Sequence, residues 1–418
     1  MTSNRVYVWT WLPDREDPVV AGALDPVGER VHFVYGRSYL ERPDAVPLYL
    51  PELPLRPGDQ PPPDGMDLAG CLADGAPDAW GRRVILRRLH AGDTRDVDTA
   101  ALPTVTYLLE SGTDRIGAND FQASAETYVP REIDATLEEL LTAADRLQAG
   151  EPFSEAIDRV LDAGSSVGGA RPKATVTVNG GGPALIAKFS TPTDTYPVVK
   201  GEAVAMELAR RAGLNVAVTE RVAVLDRDVL LVDRFDRIPG THRRRAIVSA
   251  LTLLGLAEMH ARYATYPDLA QTIRTRFTDP QATLVELYGR LVFNVLIGNR
   301  DDHARNHAAF WDGRGLTLTP AYDLDPQPRD TGEATQAMAV TRAGDRRSRL
   351  ATCIDTAGEF LLSQAQARAI VDRLVQTIVD EFEDAADTVG LTDLDRRLLW
   401  RRAFLHPYAF EGYGPAPA

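Results

Sequence analysis

Three side chains late in the chain restrict its fold more than any average property does. Asp301 and Asn306 stand five positions apart in Arg300-Asp301-Asp302-His303-Ala304-Arg305-Asn306, and a lone Asp323 follows in Tyr322-Asp323-Leu324. A carboxylate, an amide and a second carboxylate, in that order, are what phosphoryl transfer needs. One Asp holds an acceptor hydroxyl in line with a γ-phosphate, while an Asn and another Asp hold Mg²⁺ against the phosphate oxygens. The pattern also needs a scaffold that turns the chain back on itself. Leu284, Leu287, Tyr288, Leu291 and Val295 recur at helical spacing, which predicts a buried helix ending at Gly298 and delivering the loop. Leu316 to Thr319 alternate as a short strand leading to Asp323. In isolation Asp-x-x-x-x-Asn is an ordinary solvated turn, so its weight comes from the chain ahead of it.

Upstream, Ser165-Ser166-Val167-Gly168-Gly169-Ala170-Arg171-Pro172-Lys173 is a small-residue loop whose backbone N–H groups can approach phosphates. It runs into a β-branched strand from Ala174 to Val178, a turn at Asn179-Gly180-Gly181-Gly182, and a return strand Ala184–Phe189 that places Lys188 near its end. Each part has an ordinary explanation: Gly180 to Gly182 as a flexible turn, Lys188 as a solvated edge charge. Glycine loop, hairpin and strand lysine are nevertheless the small-lobe order of a protein kinase. On the next predicted helix, Glu202 and Glu207 compete as the acid that pairs with Lys188. All five features in sequence argue for a nucleotide-dependent phosphotransferase.

These motifs resemble the HipA family of bacterial serine/threonine kinases, the toxin halves of type II toxin-antitoxin pairs. Ser166 to Lys173, the Lys188 strand, Val232-Asp233-Arg234-Phe235-Asp236-Arg237, Asp301 to Asn306 and Leu318 to Asp323 carry the likeness. Looser matches are His32 to Gly36, Pro51 to Leu55 and Asp74 to Arg83. The resemblance implies an α+β, bilobal protein-kinase-like fold with a β-rich N-terminal region and a mainly helical C-terminal lobe. It implies ATP and Mg²⁺ as cofactors, with Asp301 as the catalytic, hydroxyl-positioning base and Asn306 and Asp323 as the metal ligands. Ser166, Val167, Gly168, Gly169, Ala170 and Lys188 would surround the phosphates, Asp233 to Phe235 would meet adenine through the backbone, and Asp236 would lie near the ribose. Ser166 matches the loop serine that family members autophosphorylate to switch themselves off, and Ser165 beside it shares that candidacy.

Two departures stand out. Asp302 replaces a Gly found in some relatives, so assigning the base to Asp301 rests on its spacing to Asn306. After Arg245, the run Ala246 to Leu251 replaces an acidic, Gln-containing segment of some relatives and leaves the substrate open. The resemblance suggests a protein substrate in the translation machinery, for example an aminoacyl-tRNA synthetase, and a separate helix-turn-helix antitoxin as partner.

Composition narrows the class. A chain of 418 residues, 44% hydrophobic and 25% charged, is an ordinary globular balance with room for two or three cores. The expected organisation is a HipA-like N-terminal region over 1–150, a nucleotide-binding small lobe over 151–240 and a helical catalytic lobe over 241–418. A net charge of -14 argues against direct nucleic-acid binding, which depends on phosphate neutralisation. Arg243 to Arg245 and Arg346 to Arg349 read as solvated loop charge. Two cysteines, Cys71 and Cys353, no leader-like N-terminus and no apolar run near the ~20 residues of a membrane span lead to a cytoplasmic expectation. The rival readings are a small-molecule phosphotransferase, a catalytically inactive partner of a DNA-binding antitoxin and, ranked last, a metal site on His303 and His307.

Overall fold

The computed structural model describes residues 5–89, 102–131, 135–149, 171–177, 184–330 and 332–417. The chain divides into two compact units: residues 1–191 with 223–248 and 310–314, and residues 192–222 with 249–309 and 315–418.

In the first unit, β1 (Val6–Thr10), β2 (Val19–Val27), β3 (Arg30–Tyr35), β4 (Asp59–Gln60) and β5 (Asn119–Gln122) form an antiparallel sheet in the order β4-β3-β2-β1-β5. Along β3, Val31, Phe33 and Tyr35 are buried and alternate with less buried neighbours, the signature of a sheet packed on one face. A second antiparallel group follows. β6 (Lys173–Thr177) pairs with β7 (Ala184–Phe189), and β7 with β9 (Arg227–Asp233), which the chain reaches after β8 (Thr219–Val224).

The segment leaving β9 is bound to the N-terminal region by buried charge. Arg234 reaches Asp114 at 2.7 Å and the Arg115 carbonyl at 2.6 Å, and it shares the Asp236 carboxylate with Arg237. Gly117, with φ +82°, donates its N–H to the same carboxylate at 2.7 Å. Burial alone would push Asp236 up, but the two guanidiniums outweigh it and hold this acid below the usual carboxylate range. These bonds tie Asp114, Arg115 and Gly117 to the segment after β9 within the first unit.

The second unit is mainly helical. Its helices are Val198–Arg211, Tyr266–Arg276, Pro280–Leu296, Gln364–Val389 and Asp393–Leu399, with shorter turns between them. Helix Val198–Arg211, expected in the small lobe, packs instead on Gln364–Val389. Arg211 meets Glu381 and Asp384 at 2.6 Å each, and the guanidinium of Arg373 donates to the Ala212 carbonyl. Its apolar face needs a partner, and Val371, Leu374, Ile378 and Phe382 form the buried stripe of the long helix.

Helix Pro280–Leu296 starts at Asp279, whose side chain accepts from the Ala282 N–H, and has Pro in its first turn, both strong start signals. Every residue from Leu287 to Leu296 is buried, so this part of the helix is enclosed on all sides. It stops where Gly298 adopts φ +69°. A Cβ there would lie 3.0 Å from the Ala403 carbonyl oxygen, so the backbone position suits glycine alone.

The Ala403–His406 stretch supports this helix end, since Leu405 donates to the Leu296 carbonyl at 2.7 Å. His406 is buried, and its Nδ1 accepts the Tyr408 N–H at 3.1 Å, a bond only the unprotonated nitrogen can make. Burial first, and then Arg329 and Arg401, push its pKa down to about 4. A base whose pKa is depressed on folding gives stability that is complete above its unfolded value, about 6.5, and is lost as pH falls toward 4. The expected result is a loss on the order of 2 kcal/mol between those limits, reduced in His406→Gln, as measured by urea unfolding from pH 7 to pH 4.

Candidate functional site

The loop after Gly298 is organised by one amide. The Asn299 side chain, fully buried, donates to Asn294 Oδ1 at 2.9 Å and to the Asp323 carbonyl at 3.3 Å, while its Oδ1 accepts the Asp301 N–H at 3.2 Å. One side chain thus joins the helix end, the loop and the segment that arrives after β12 (Leu316–Leu318). Asn306 completes the turn from the other side, its Nδ2 donating to the Asp301 carbonyl at 3.2 Å. Asp301 is held at both its N–H and its C=O, and its carboxylate is exposed.

The Asn306 side chain, itself buried, has its Nδ2 engaged by the Asp301 carbonyl. Asp323 sits at φ +60°, a conformation uncommon outside glycine that Asp tolerates better than most residues. Strain of this kind concentrates where a side chain must be aimed. The segment is braced by Ala321, which donates to the Asn215 carbonyl at 2.8 Å and accepts from the Ala217 N–H at 2.9 Å. Buried Arg290, on helix Pro280–Leu296, donates to the carbonyls of Asn215 at 3.1 Å and Thr319 at 2.8 Å. An amide oxygen and a carboxylate are hard donors that suit Mg²⁺, which keeps part of its shell for phosphate oxygens and water.

The neighbouring acid behaves differently. Asp302 is buried, accepts a hydrogen bond from the Tyr266 hydroxyl and meets His307 Nε2 at 3.0 Å. Of the two adjacent carboxylates, only Asp301 faces solvent. His307 is thereby engaged with Asp302, and among the described residues no group of three His, Cys, Asp or Glu is placed to hold a metal ion.

The first unit carries the other predicted residues. Lys188 lies on β7 across from Lys173, on the side opposite buried Leu185, Ala187 and Phe189. Lys173 is buried, with its ammonium 4.0 Å from Asp78; burial pushes Asp78 up to about 6 despite that cation. Asp233 ends β9 and Phe235 packs edge-on to Phe310 at 5.9 Å. The Asp236 carboxylate is bonded to Arg234, Arg237 and the Gly117 N–H. In the second unit, Glu207 is taken by Arg210 and Arg211 at 2.7 Å each, whereas Glu202 is buried. Ser165, Ser166, Val167, Gly168, Gly169 and Ala170, and the turn from Asn179 to Gly182, lie outside the described residues.

Comparison with known proteins agrees with this arrangement. Residues 165–382, more than half of the chain, match the model of the HipA-like C-terminal domain. The chain belongs to the HipA family. This HipA-like chain is 30% identical over 186 residues to the serine/threonine-protein kinase toxin HipA of Shewanella oneidensis, covering 38% of this chain and 42% of that protein. It is 26% identical over 265 residues to the toxin YjjJ of Escherichia coli, covering 59% and 56% of the two chains. The matched stretches therefore span only about half the length of these curated relatives. In fold, it resembles the HipA chain solved with HipB and operator DNA from Shewanella oneidensis, with a TM-score of 0.69, 19% identity and 95% of each chain covered.

Asn299 and Tyr266 are supporting residues of the HipA-like chain that motif reading passed over, and His307, weighed there only as a metal ligand, is a third. The available signal was an Asn directly after a helix-ending Gly, a position from which a short amide reaches neighbouring backbone. Asn299→Ala is expected to strand the Asn294 amide and free both loop segments, costing about 1–3 kcal/mol of stability. Urea unfolding, together with Mg²⁺-dependent ATP binding by calorimetry, checks this: unchanged values in both would remove Asn299 from its central place.

Proposed function

We propose that this chain is an ATP- and Mg²⁺-dependent serine/threonine protein kinase of the HipA toxin type. The observation that supports it most is the double backbone grip on Asp301, from the Asn299 and Asn306 side chains, at a residue that is itself exposed. In this reading Asp301 accepts the proton of an incoming hydroxyl and aligns its oxygen for attack on the γ-phosphorus. Asn306 and Asp323 hold Mg²⁺, which when bound neutralises charge on the phosphate oxygens. We assign the nucleotide phosphates to Lys188 and to the loop Ser166 to Ala170, the adenine to the backbone of Asp233 to Phe235, and helix-acid duty to Glu202. Residues 151–240 supply the nucleotide-binding strands and 241–418 the acceptor side.

The acceptor in this reading is a protein hydroxyl, with an aminoacyl-tRNA synthetase as the external candidate and Ser166 or Ser165 as the internal one. The HipA of Shewanella oneidensis was solved with HipB and operator DNA. For the present chain we propose a helix-turn-helix antitoxin that contacts DNA in its place, in keeping with a net charge of -14. No helix among the described residues is long and apolar enough to cross a membrane, and we place the protein in the cytoplasm.

Incubation with γ-labelled ATP and Mg²⁺, beside Asp301→Asn, with the labelled residue mapped by mass spectrometry, tests the assignment. Label on Ser166 or Ser165 that falls at least a hundredfold in the variant is expected. Unlabelled protein that starts unphosphorylated, still binds ATP and phosphorylates a small alcohol would make it a small-molecule phosphotransferase; ATP binding without transfer to either would make it an inactive partner.

A further inference from the structure

Two neighbouring carboxylates with opposite surroundings call for an explanation. Asp301 is exposed; Asp302, one residue on, is 2% exposed and has two partners. One is His307, at the far end of the same turn, whose Nε2 lies 3.0 Å from Oδ1 and 3.2 Å from Oδ2. The other is the hydroxyl of Tyr266, the first residue of helix Tyr266–Arg276, which donates to Oδ2. A carboxylate only accepts, so Nε2 of His307 carries the proton. Its Nδ1 is buried with no hydrogen-bond partner. The imidazole is therefore oriented by Asp302 and by the Tyr266 ring, which meets it edge-on at 5.5 Å.

We propose that Asp302, His307 and Tyr266 form a clasp that closes the Asp302–His307 turn and thereby sets the direction of the Asp301 carboxylate. The inference rests on the assignment of Asp301 as the hydroxyl-positioning base. Successive side chains leave a loop in directions fixed by the backbone between them, so anchoring Asp302 in a buried site fixes how Asp301 projects. His307 ties down the residue after Asn306, and its carbonyl accepts the Ala250 N–H at 2.7 Å, anchoring that end of the turn to a short capped helix. The anchor for Tyr266 is equally firm. Thr265 caps its helix by accepting the Asp268 N–H at 3.0 Å, and the Tyr266 N–H donates to the Ala339 carbonyl at 2.9 Å.

The clasp residues are positioning residues: they act through Asp301 and the turn. Their effect belongs to the transfer step, where a misplacement of about 1 Å costs on the order of a hundredfold, and not to nucleotide affinity. The Asp302 side chain is what the clasp turns on. Here a side chain performs, by hydrogen bonding, the shaping of the turn.

The experiment measures the single-turnover rate of label transfer from γ-labelled ATP to the full-length protein, expressed per nucleotide-binding site counted by titration with ATP. Tyr266→Phe removes only a hydroxyl and His307→Ala removes the ring. Each is expected to lower the maximal rate by about tenfold or more while the half-saturating ATP concentration stays within about twofold. His307→Gln, which keeps an N–H able to reach Asp302, is expected to recover most of the rate. The double variant should lose little more than the worse single one, because both act through one carboxylate. Unchanged rates per site in Tyr266→Phe and His307→Ala, with Asp301→Asn inactive, would overturn the clasp alone, and so would losses explained wholly by fewer binding sites. Full activity in Asp301→Asn would overturn the underlying assignment and the clasp with it.

Discussion

Asn299 is the residue through which the second unit holds its chemistry together. Its amide has three bonds to make and makes them to three separate pieces of chain: the helix that ends at Gly298, the backbone of Asp301, and the carbonyl of Asp323. A buried amide with all its partners is rigid because each bond would cost more to break in the interior than in water. That rigidity is what lets two short segments, neither regular in structure, present side chains at fixed places. Helix Pro280–Leu296 provides the reference frame, and Gly298 allows the chain to leave it in the required direction.

A comparable device operates in the first unit with charges in place of amides. Arg234, Asp236, Arg237 and Asp114 are a network in which each charge has an opposite partner within 2.8 Å. Buried ion pairs are weak evidence for stability but strong constraints on geometry, since removing one member leaves another uncompensated. The network explains why the chain after β9 cannot be treated as a free hinge: it is tied to Asp114, Arg115 and Gly117, far earlier in the sequence. Asp236 serves this architecture by joining Arg234 and Arg237 to the Gly117 N–H.

Much of the scaffold was legible in the sequence. Strand Ala184–Phe189 has the bounds expected of the return strand, and the helical spacing of Leu284 to Val295 marks one of the two main helices of the second unit. Periodicity reports a face but not what covers it, so the placement of Val198–Arg211 against Gln364–Val389 had no local signal. The same limit applies to Tyr266, which meets Asp302 across thirty-six positions of chain. The pairing of Arg234 and Arg237 with Asp114, and of the Gly117 N–H with Asp236, reaches back more than a hundred positions, and no spacing within Val232 to Arg237 reveals it.

A metal-bound nucleotide held by one set of residues, and a hydroxyl positioned by another, are together the central claim, and binding can separate the two where activity cannot. The most direct measurement is a calorimetric titration of Mg²⁺-ATP into the wild-type protein, Asp301→Asn and Asp323→Asn. The account predicts that Asp301→Asn binds as the wild type does, while Asp323→Asn binds Mg²⁺-ATP at least tenfold more weakly and loses the advantage that Mg²⁺ gives over ATP alone. Equal weakening in both variants, or none in Asp323→Asn, would contradict it.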